Sequence, residues 1–427
     1  MRILLLGAAG FIGRELLGAL AARGHEVVAG VRRGDWVAPH GTHAVALIDL
    51  NRATRPEDWN AALSACDAVV NCAGILQGTR AQSMQAIHAA APVALFRACE
   101  GSGVRRVVQI SAISAERAAG TEYAASKLEA DEFLRSTSLE WVVLRPSLVF
   151  ARGAYGGTAL FRAMAALPFA IPVPGSGEQR FQPIHLRDLA RVVVDAIEGT
   201  RLVRRTIDPV GPDVVTLRQV LEDYRCWLGF ERVPVVSMPH WIVRATARLG
   251  DHLGGPINST AMAQLEFGNT GDAAAFEAAT DCHASGWRAA LAAEPAHTQD
   301  RWHARLYFVR PLLRAALVVL WIASGLAGLF ALDDWAPRLA AATAIPAPLA
   351  LTALAAACVL DLVFAALVAR RWRPRRLALL QLVAIGAYTA GATALWPALW
   401  TEPLGPLLKN LPILAAVAAW GAIEEER

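Results

Sequence analysis

Lysine is almost missing from this chain. Of 41 basic residues only Lys127 and Lys409 are lysine, so arginine serves wherever a generic positive charge is wanted. The net charge is only +4 over 427 residues, and apart from one loop the arginines are scattered, which excludes a continuous basic face for nucleic acid. The six cysteines, at 66, 72, 99, 226, 282 and 358, contain no C-x-x-C pair. That absence argues against a disulfide framework and a zinc site and suits small buried thiols in a reducing compartment; Cys282-His283 is read as no metal site, and no metal is expected. A secretory leader is not expected either. The apolar run Met1-Arg2-Ile3-Leu4-Leu5-Leu6 breaks into glycines and leads straight into further strand-like sequence, so it reads as a first buried strand.

What is abundant is apolar sequence, 55% of the chain, concentrated after residue 310. Residues 1 to 150 alternate short apolar runs with helical segments. Ile3 to Leu6, Val27 to Val31, Ala44 to Ile48, Ala68 to Asn71, Val107 to Ser111 and Trp141 to Leu144 read as strands, which predicts an α/β, doubly wound parallel sheet of the Rossmann type. Residues 151 to 300 are richer in proline and glycine and read as a smaller substrate lobe of the same unit. Four apolar segments follow, at 311 to 332, 346 to 369, 377 to 397 and 404 to 423, each close to the roughly 20 residues that span a bilayer. They predict a four-helix transmembrane bundle over 311 to 423. Arg301, Arg305, Arg310 and Arg314 precede the first segment, and Arg370, Arg371, Arg373, Arg375 and Arg376 fill the loop between the second and third, whereas the loops holding Asp333-Asp334-Trp335 and Trp400-Thr401-Glu402 are nearly free of arginine. The positive-inside rule then places the amino-terminal domain and the carboxyl terminus in the cytoplasm of a cell (inner) membrane protein.

Two local patterns carry chemistry. Gly7-Ala8-Ala9-Gly10-Phe11-Ile12-Gly13 follows the first strand and opens a helix, where glycines permit a tight turn and close approach of backbone N–H groups to a pyrophosphate. Val31-Arg32-Arg33 ends the second strand; an arginine there accommodates the 2′-phosphate of NADP, where NAD would want an acid, so NADP is favoured with NAD possible, against the plainer reading of two solvated arginines. Asp49-Leu50, after the third strand, is placed to meet the adenine. The second pattern is Tyr123-Ala124-Ala125-Ser126-Lys127, whose i, i+4 spacing puts phenol and ammonium on one helix face. A compact ammonium that perturbs a phenol and holds ribose hydroxyls is one job arginine's planar fork does not fit.

These residues resemble the short-chain dehydrogenase/reductase superfamily in its extended and atypical branches. The resemblance covers about residues 1 to 300 and rests on the glycine turn, Asn71-Cys72-Ala73-Gly74, Ser111, Tyr123-x-x-x-Lys127 and Leu144-Arg145-Pro146-Ser147. It implies that Gly7, Gly10, Phe11, Ile12, Gly13, Arg32, Asp49, Leu50, Ala73 and Lys127 bind the nicotinamide cofactor. It also implies that Tyr123 is the general acid/base, that Lys127 lowers its pKa, and that Ser111 polarises a substrate carbonyl, with Ser114 a substitute one turn later. In His88-Ala89-Ala90-Ala91-Pro92 a histidine stands where many extended members carry an asparagine of the proton relay. With Arg180-Phe181-Gln182-Pro183 this is most similar to the branch holding the NAD(P)H-binding accessory subunit of respiratory complex I, whose members can hold nucleotide without known turnover. Asp188, in the later motif Gln182 to Ala190, serves either that motif or helix capping and packing. The carboxyl-terminal segments resemble DoxX-like membrane domains, which implies a link to quinone or thiol redox chemistry.

Inside the membrane segments, Asp361 is a functional candidate with Lys409 as its partner; the alternative is a snorkelling lysine and a neutral Asp361 hydrogen-bonded with Gln381. The expected function is a membrane-anchored NADP(H)-dependent oxidoreductase acting on a carbonyl or alcohol of a small molecule, a lipid-soluble one among the candidates, with epimerase or dehydratase chemistry open. The alternative is a non-catalytic nucleotide-binding module for a membrane redox complex. Expected partners are the substrate, the lipid bilayer and either a membrane redox partner or a second copy of the chain, and no nucleic acid.

Overall fold

The computed structural model describes residues 1–78, 82–117, 120–253, 257–403 and 405–424. It divides into two compact units, Met1–Ala304 and Arg305–Arg427.

The first unit is built on a seven-stranded parallel sheet. Its strands are β1 (Arg2–Leu6), β2 (Glu26–Val31), β3 (Thr42–Leu47), β4 (Ala68–Asn71), β5 (Arg106–Ile110), β6 (Glu140–Leu144) and β7 (Arg205–Ile207), in the order β7-β6-β5-β4-β1-β2-β3. The register aligns Leu6 with both Gly30 and Asn71, and Asn71 with Gln109. Strand order therefore reverses direction between β1 and β4, and the carboxyl ends of those strands open a crevice there. The central strands are continuous apolar runs because both faces are covered. On one face Leu5 and Val70 pack with Leu16, Leu17 and Leu20 of α1 (Phe11–Ala22). On the other, Leu4 and Val69 pack with Leu95 and Phe96 of α2 (Ala91–Ser102) and Leu134 of α3 (Glu122–Ser136). Each such fully buried leucine contributes on the order of 2 kcal/mol. β3 alternates half-buried and exposed residues, as an edge strand does.

The six predicted strands are present within a residue or two; β7 is an addition. Its three residues, with only Ile207 buried, carry too little pattern to stand out. Beyond β6 the chain adds short strand pairs, Val149–Phe150 with Ile184–His185 and Ile171–Pro174 with Val235–Met238, and the strongly amphipathic α4 (Leu186–Glu198) returns to cover the sheet.

The second unit differs from expectation. Among the described residues three helices are long and apolar enough to cross a membrane: α5 (Thr298–Phe330), α7 (Ala347–Ala369) and α8 (Pro374–Leu395). Between the first two, the segment read as a loop forms α6 (Leu332–Thr343), with Asp333 and Asp334 in its first turn, where acids favour the helix dipole. The fourth expected segment, 404 to 423, gives only α9 (Asn410–Ile423); Leu404 lies outside the described residues. Gly405 at φ +50° and the turn up to Lys409 delay the helix start. Its 14 residues rise about 21 Å, short of the roughly 30 Å hydrocarbon thickness. Trp321, Phe364, Ile385, Val417 and Trp420 form the bundle core. α5 and α7 approach closely at glycines: a Cβ on Gly328 would lie 2.5 Å from Cys358 Sγ.

Candidate functional site

The glycine turn is shaped by contact, not by flexibility. Gly7 has φ +77°, and a Cβ there would lie 2.9 Å from the Ala73 nitrogen; a Cβ on Gly13 would lie 2.1 Å from the Gly7 oxygen. α1 thus presses directly onto the β1 turn, and the turn onto the β4 loop. Gly10 caps α1 and, having no side chain, leaves the first amides of the helix without a side-chain cap of its own. An uncapped helix start beside three side-chain-free positions fits a dinucleotide pyrophosphate. Phe11 and Ile12 are half-buried against the sheet core, and Phe11 stacks on Tyr155 at 6.3 Å.

Arg32 follows β2 directly, is exposed, and has no ion pair among the described residues. Its neighbour Arg33 is held by Asp35 at 2.7 Å. Asp49 closes its own turn, accepting from the Asn51 backbone N–H at 3.0 Å and from Asn51 Nδ2 at 3.1 Å, while Leu50 packs against the core. On β4, Asn71 bridges two strands: Nδ2 donates to Gln109 Oε1 at 2.8 Å, and Oδ1 accepts from the Ala73 N–H at 3.2 Å. That fixes the loop against which Gly7 packs.

Helix α3, capped by Thr121, carries Tyr123 and Lys127 toward the ends of β4 and β5. Lys127 is buried, its Nζ donating to the Ile110 oxygen at 3.2 Å and lying 3.3 Å from where a Cβ on Gly74 would sit. Burial lowers its pKa, and Asp131 opposes that. Tyr123 is half-buried and meets the His88 ring edge-on at 5.3 Å. Its phenol is pushed up to about 12, first by burial and then by Asp131, and not lowered by Lys127 as expected.

Three residues depart from the resemblance. Ser111 turns its hydroxyl to Asp131, to which it donates. Asp131 is 1% exposed, its other oxygen has no hydrogen-bond partner among the described residues, and burial raises its pKa to about 6 against the opposing Ser111 hydrogen bond and the Lys127 charge. His88 sits in a π-helical turn, Ala86–Ala90, a geometry common at functional sites. Its Nε2 accepts from the Ile75 N–H at 3.0 Å, so Nδ1 carries the proton and donates to Ser126 Oγ at 3.1 Å, which donates to the Tyr123 carbonyl at 3.1 Å. Burial and the Lys127 charge push its pKa down to about 2. A neutral ring with both nitrogens engaged supports the backbone of the tyrosine and is not a relay. Asp188 is buried and accepts from the Ser285 N–H at 2.8 Å and from Arg191, which is packing.

Asp131 is the residue that sequence reading missed. It stands four positions after Lys127 and eight after Tyr123, one face of one helix, and that spacing was its signal. Also unforeseen, Gln264 donates to Thr121 Oγ1 at 3.0 Å and Asn258 to Gln77 Oε1 at 3.1 Å, tying the segment around Ser259–Glu266 to the cap of α3 and to the β4 loop. Of the two readings of Asp361, the ion pair with Lys409 is not formed: Lys409 is exposed, and Asp361 is hydrogen-bonded, accepting from Ser324 at 2.6 Å and from Tyr388 at 3.4 Å and not from Gln381, which accepts from Trp321 Nε1 at 2.6 Å.

Residues 7–199 match the NAD(P)H-binding family and residues 318–418 the DoxX-like family. Among curated proteins, the mitochondrial NADH dehydrogenase [ubiquinone] 1 alpha subcomplex subunit 9 of Arabidopsis thaliana is 28% identical over 227 residues, covering 51% of this chain and 55% of that protein. The ceramide reductase of Caulobacter vibrioides is 25% identical over 192 residues, covering 45% and 59%. The chain thus spans little more than half the length of either relative. Among solved structures, MoeE5 in complex with UDP-glucose and NAD shares the fold at a TM-score of 0.54, with 21% identity, covering 71% of this chain and 99% of that one.

Proposed function

We propose that this chain, an NAD(P)-binding Rossmann domain joined to a DoxX-like membrane domain, is a membrane-anchored oxidoreductase that prefers NADP(H) and acts on a carbonyl or alcohol group of a lipid-soluble substrate. The observation that carries the reading is one of the chain's two lysines buried at the ends of β4 and β5, one helical turn from a half-buried tyrosine. The glycine turn and the uncapped start of α1 hold the pyrophosphate, and Arg32 meets the 2′-phosphate. The bound nicotinamide supplies or accepts the hydride. Tyr123, protonated at neutral pH, donates its proton to the carbonyl oxygen in reduction and takes it back in oxidation. Lys127 holds a positive charge beside it, and Asp131 orients the Ser111 hydroxyl.

The bilayer anchor favours a lipid-soluble substrate by raising its local concentration, and the likeness to a ceramide reductase supports that class. The arginines in the first half of α5, and those in the loop before α8 and in its first turn, support a cytoplasmic Rossmann domain. A second reading, a nucleotide-holding module in a membrane redox assembly, is favoured by the engagement of His88 and of the Ser111 hydroxyl, and by the likeness to a subunit of NADH dehydrogenase.

The test is a titration of the full-length solubilised protein with NADPH and NADH, with cofactor oxidation followed on long-chain aldehydes and ketones. Tighter NADPH binding, with turnover reduced about 10²- to 10⁴-fold in Tyr123→Phe at unchanged binding, is expected. Binding without turnover on any acceptor selects the second reading. No nucleotide binding rejects both.

A further inference from the structure

One buried acid takes no part in that chemistry. Asp361 lies on α7 eight residues before its carboxyl-terminal end, about 12 Å of helix rise into the bundle, and is 5% exposed. Its carboxyl touches two other helices: Ser324 of α5 donates to Oδ2 at 2.6 Å and Tyr388 of α8 to Oδ1 at 3.4 Å.

No cation pairs with it among the described residues. Arg314, on the same helix as Ser324, is bound to Glu424 at 2.5 Å. The charged residues of α6, namely Asp333, Asp334 and Arg338, are exposed, and α9 contains no charged residue between Asn410 and Ile423. The titratable groups that face Asp361 are Tyr388 and, one turn back on its own helix, Cys358.

An ionised carboxylate at this depth, with two hydroxyls and no counter-charge, is strongly disfavoured, whereas a carboxylic acid is satisfied there. Each hydroxyl can donate to the carbonyl oxygen or accept from the acid O–H. Asp361 is enclosed, whereas Ser324 and Tyr388, the latter 37% exposed, both reach the bundle surface. The acid is therefore hydrogen-bonded from the bundle interior to its outside, and of its two partners the phenol is the one acidic enough to pass a proton on.

We infer that Asp361 is a proton-binding site within the membrane domain, loaded at neutral pH and exchanging its proton through Tyr388. In the transfer the carboxyl O–H bond breaks, the proton passes to the Tyr388 oxygen, and the phenol's own proton passes to water at the bundle surface. The reverse sequence reloads the acid. The ligand is a proton, and the site stands independently of the reaction assigned to the Rossmann domain.

The experiment is infrared spectroscopy of the full chain in lipid nanodiscs at neutral pH. A protonated-carboxyl stretch that Asp361→Asn removes, that shifts in heavy water, and whose shift is slowed in Tyr388→Phe is expected, with nucleotide binding retained as the folding control. A spectrum unchanged by Asp361→Asn overturns the site. A band that never shifts in heavy water, or shifts at the same rate in Tyr388→Phe, overturns the exchange route and leaves a static structural acid. Should the asparagine variant fail to fold, labelling of the wild-type chain by a hydrophobic carbodiimide, mapped by mass spectrometry, decides: modification of Asp361 supports a protonated site and its absence rejects it.

Discussion

Asp131 in the sheet unit and Asp361 in the helical unit are both almost fully buried, and each accepts from a serine hydroxyl, Ser111 in one case and Ser324 in the other. Their surroundings differ. Asp131 feels the charges of Lys127, Arg135 and Arg145, which hold its pKa at about 6 against burial. Asp361 has hydroxyls and a thiol. In the sheet unit a buried acid is balanced by nearby cations. In the helical unit such cations are themselves too costly, so the acid is kept neutral by hydrogen bonds. The same amino acid is a tuned charge in one unit and a proton carrier in the other.

The largest effect expected from this contrast is at the residue that Asp131 steadies. Lys127→Met should reduce turnover by about 10²- to 10⁴-fold, and Lys127→Arg should fail as well, because Gly74 and the Ile110 carbonyl crowd the ammonium and leave no room for a guanidinium. Steady-state kinetics with a parallel nucleotide titration would check it. An active arginine variant would mean that any cation suffices, and the scarcity of lysine would lose its meaning.

Asp131→Asn sharpens the comparison through pH. The native pKa is raised to about 6 from the ordinary 3.8, so stability from the protonated acid is fully present below 3.8 and is lost as pH rises through 6. That amounts to about 3 kcal/mol between the two limits. His88 acts oppositely: its pKa is lowered to about 2 from 6.5, so its contribution is present above 6.5 and is lost as pH falls toward 2. Thermal melts of wild type and Asp131→Asn at pH 4 and pH 8 should therefore diverge, the asparagine variant gaining relative stability at the higher pH. Parallel pH dependences would remove Asp131 as a titrating group. The same variant should move the phenol limb of the rate profile to lower pH, because Asp131 raises Tyr123.

Arg32→Ala should narrow the preference for NADPH over NADH by about 10- to 100-fold, the worth of a charge-assisted contact to phosphate, with little change in turnover at saturation. Paired fluorescence titrations would measure it. An unchanged ratio would turn attention to Arg33, whose guanidinium is already held by Asp35.

The sheet was legible because its strands are buried on both faces and punctuated by glycine turns, so period and length agree; Leu4, Leu5, Val69 and Val70 have no other reading. That Tyr123 and Lys127 share one helix was legible through their spacing, and lysine scarcity singled the pair out. What stayed hidden depends on rotamers and depth. Ser111 could face substrate or core, and only the packing of Asp131 beneath it decides. His88 could relay a proton or brace a loop, and its tautomer follows from an Ile75 amide that no spacing rule reveals. In the helical unit, apolar composition gives length but not where a helix starts, so α9 was overdrawn and α6 was missed.

Lys409 is the smallest expected effect and the cleanest test of the contrast between the units. By sequence it was an available cation for Asp361; in the structure it is exposed just before α9, its long stem free to carry the ammonium to water. Lys409→Gln should change stability by no more than about 0.5 kcal/mol, as exposed substitutions do. A double-mutant cycle between Asp361→Asn and Lys409→Gln should give a coupling near zero, whereas the cycle between Asp361→Asn and Ser324→Ala should give about 0.5–3 kcal/mol, since those groups share a 2.6 Å hydrogen bond. Coupling to Lys409 of the same size would make Asp361 an ion-pair partner after all, and the bundle would then resemble the sheet unit in how it handles a buried charge.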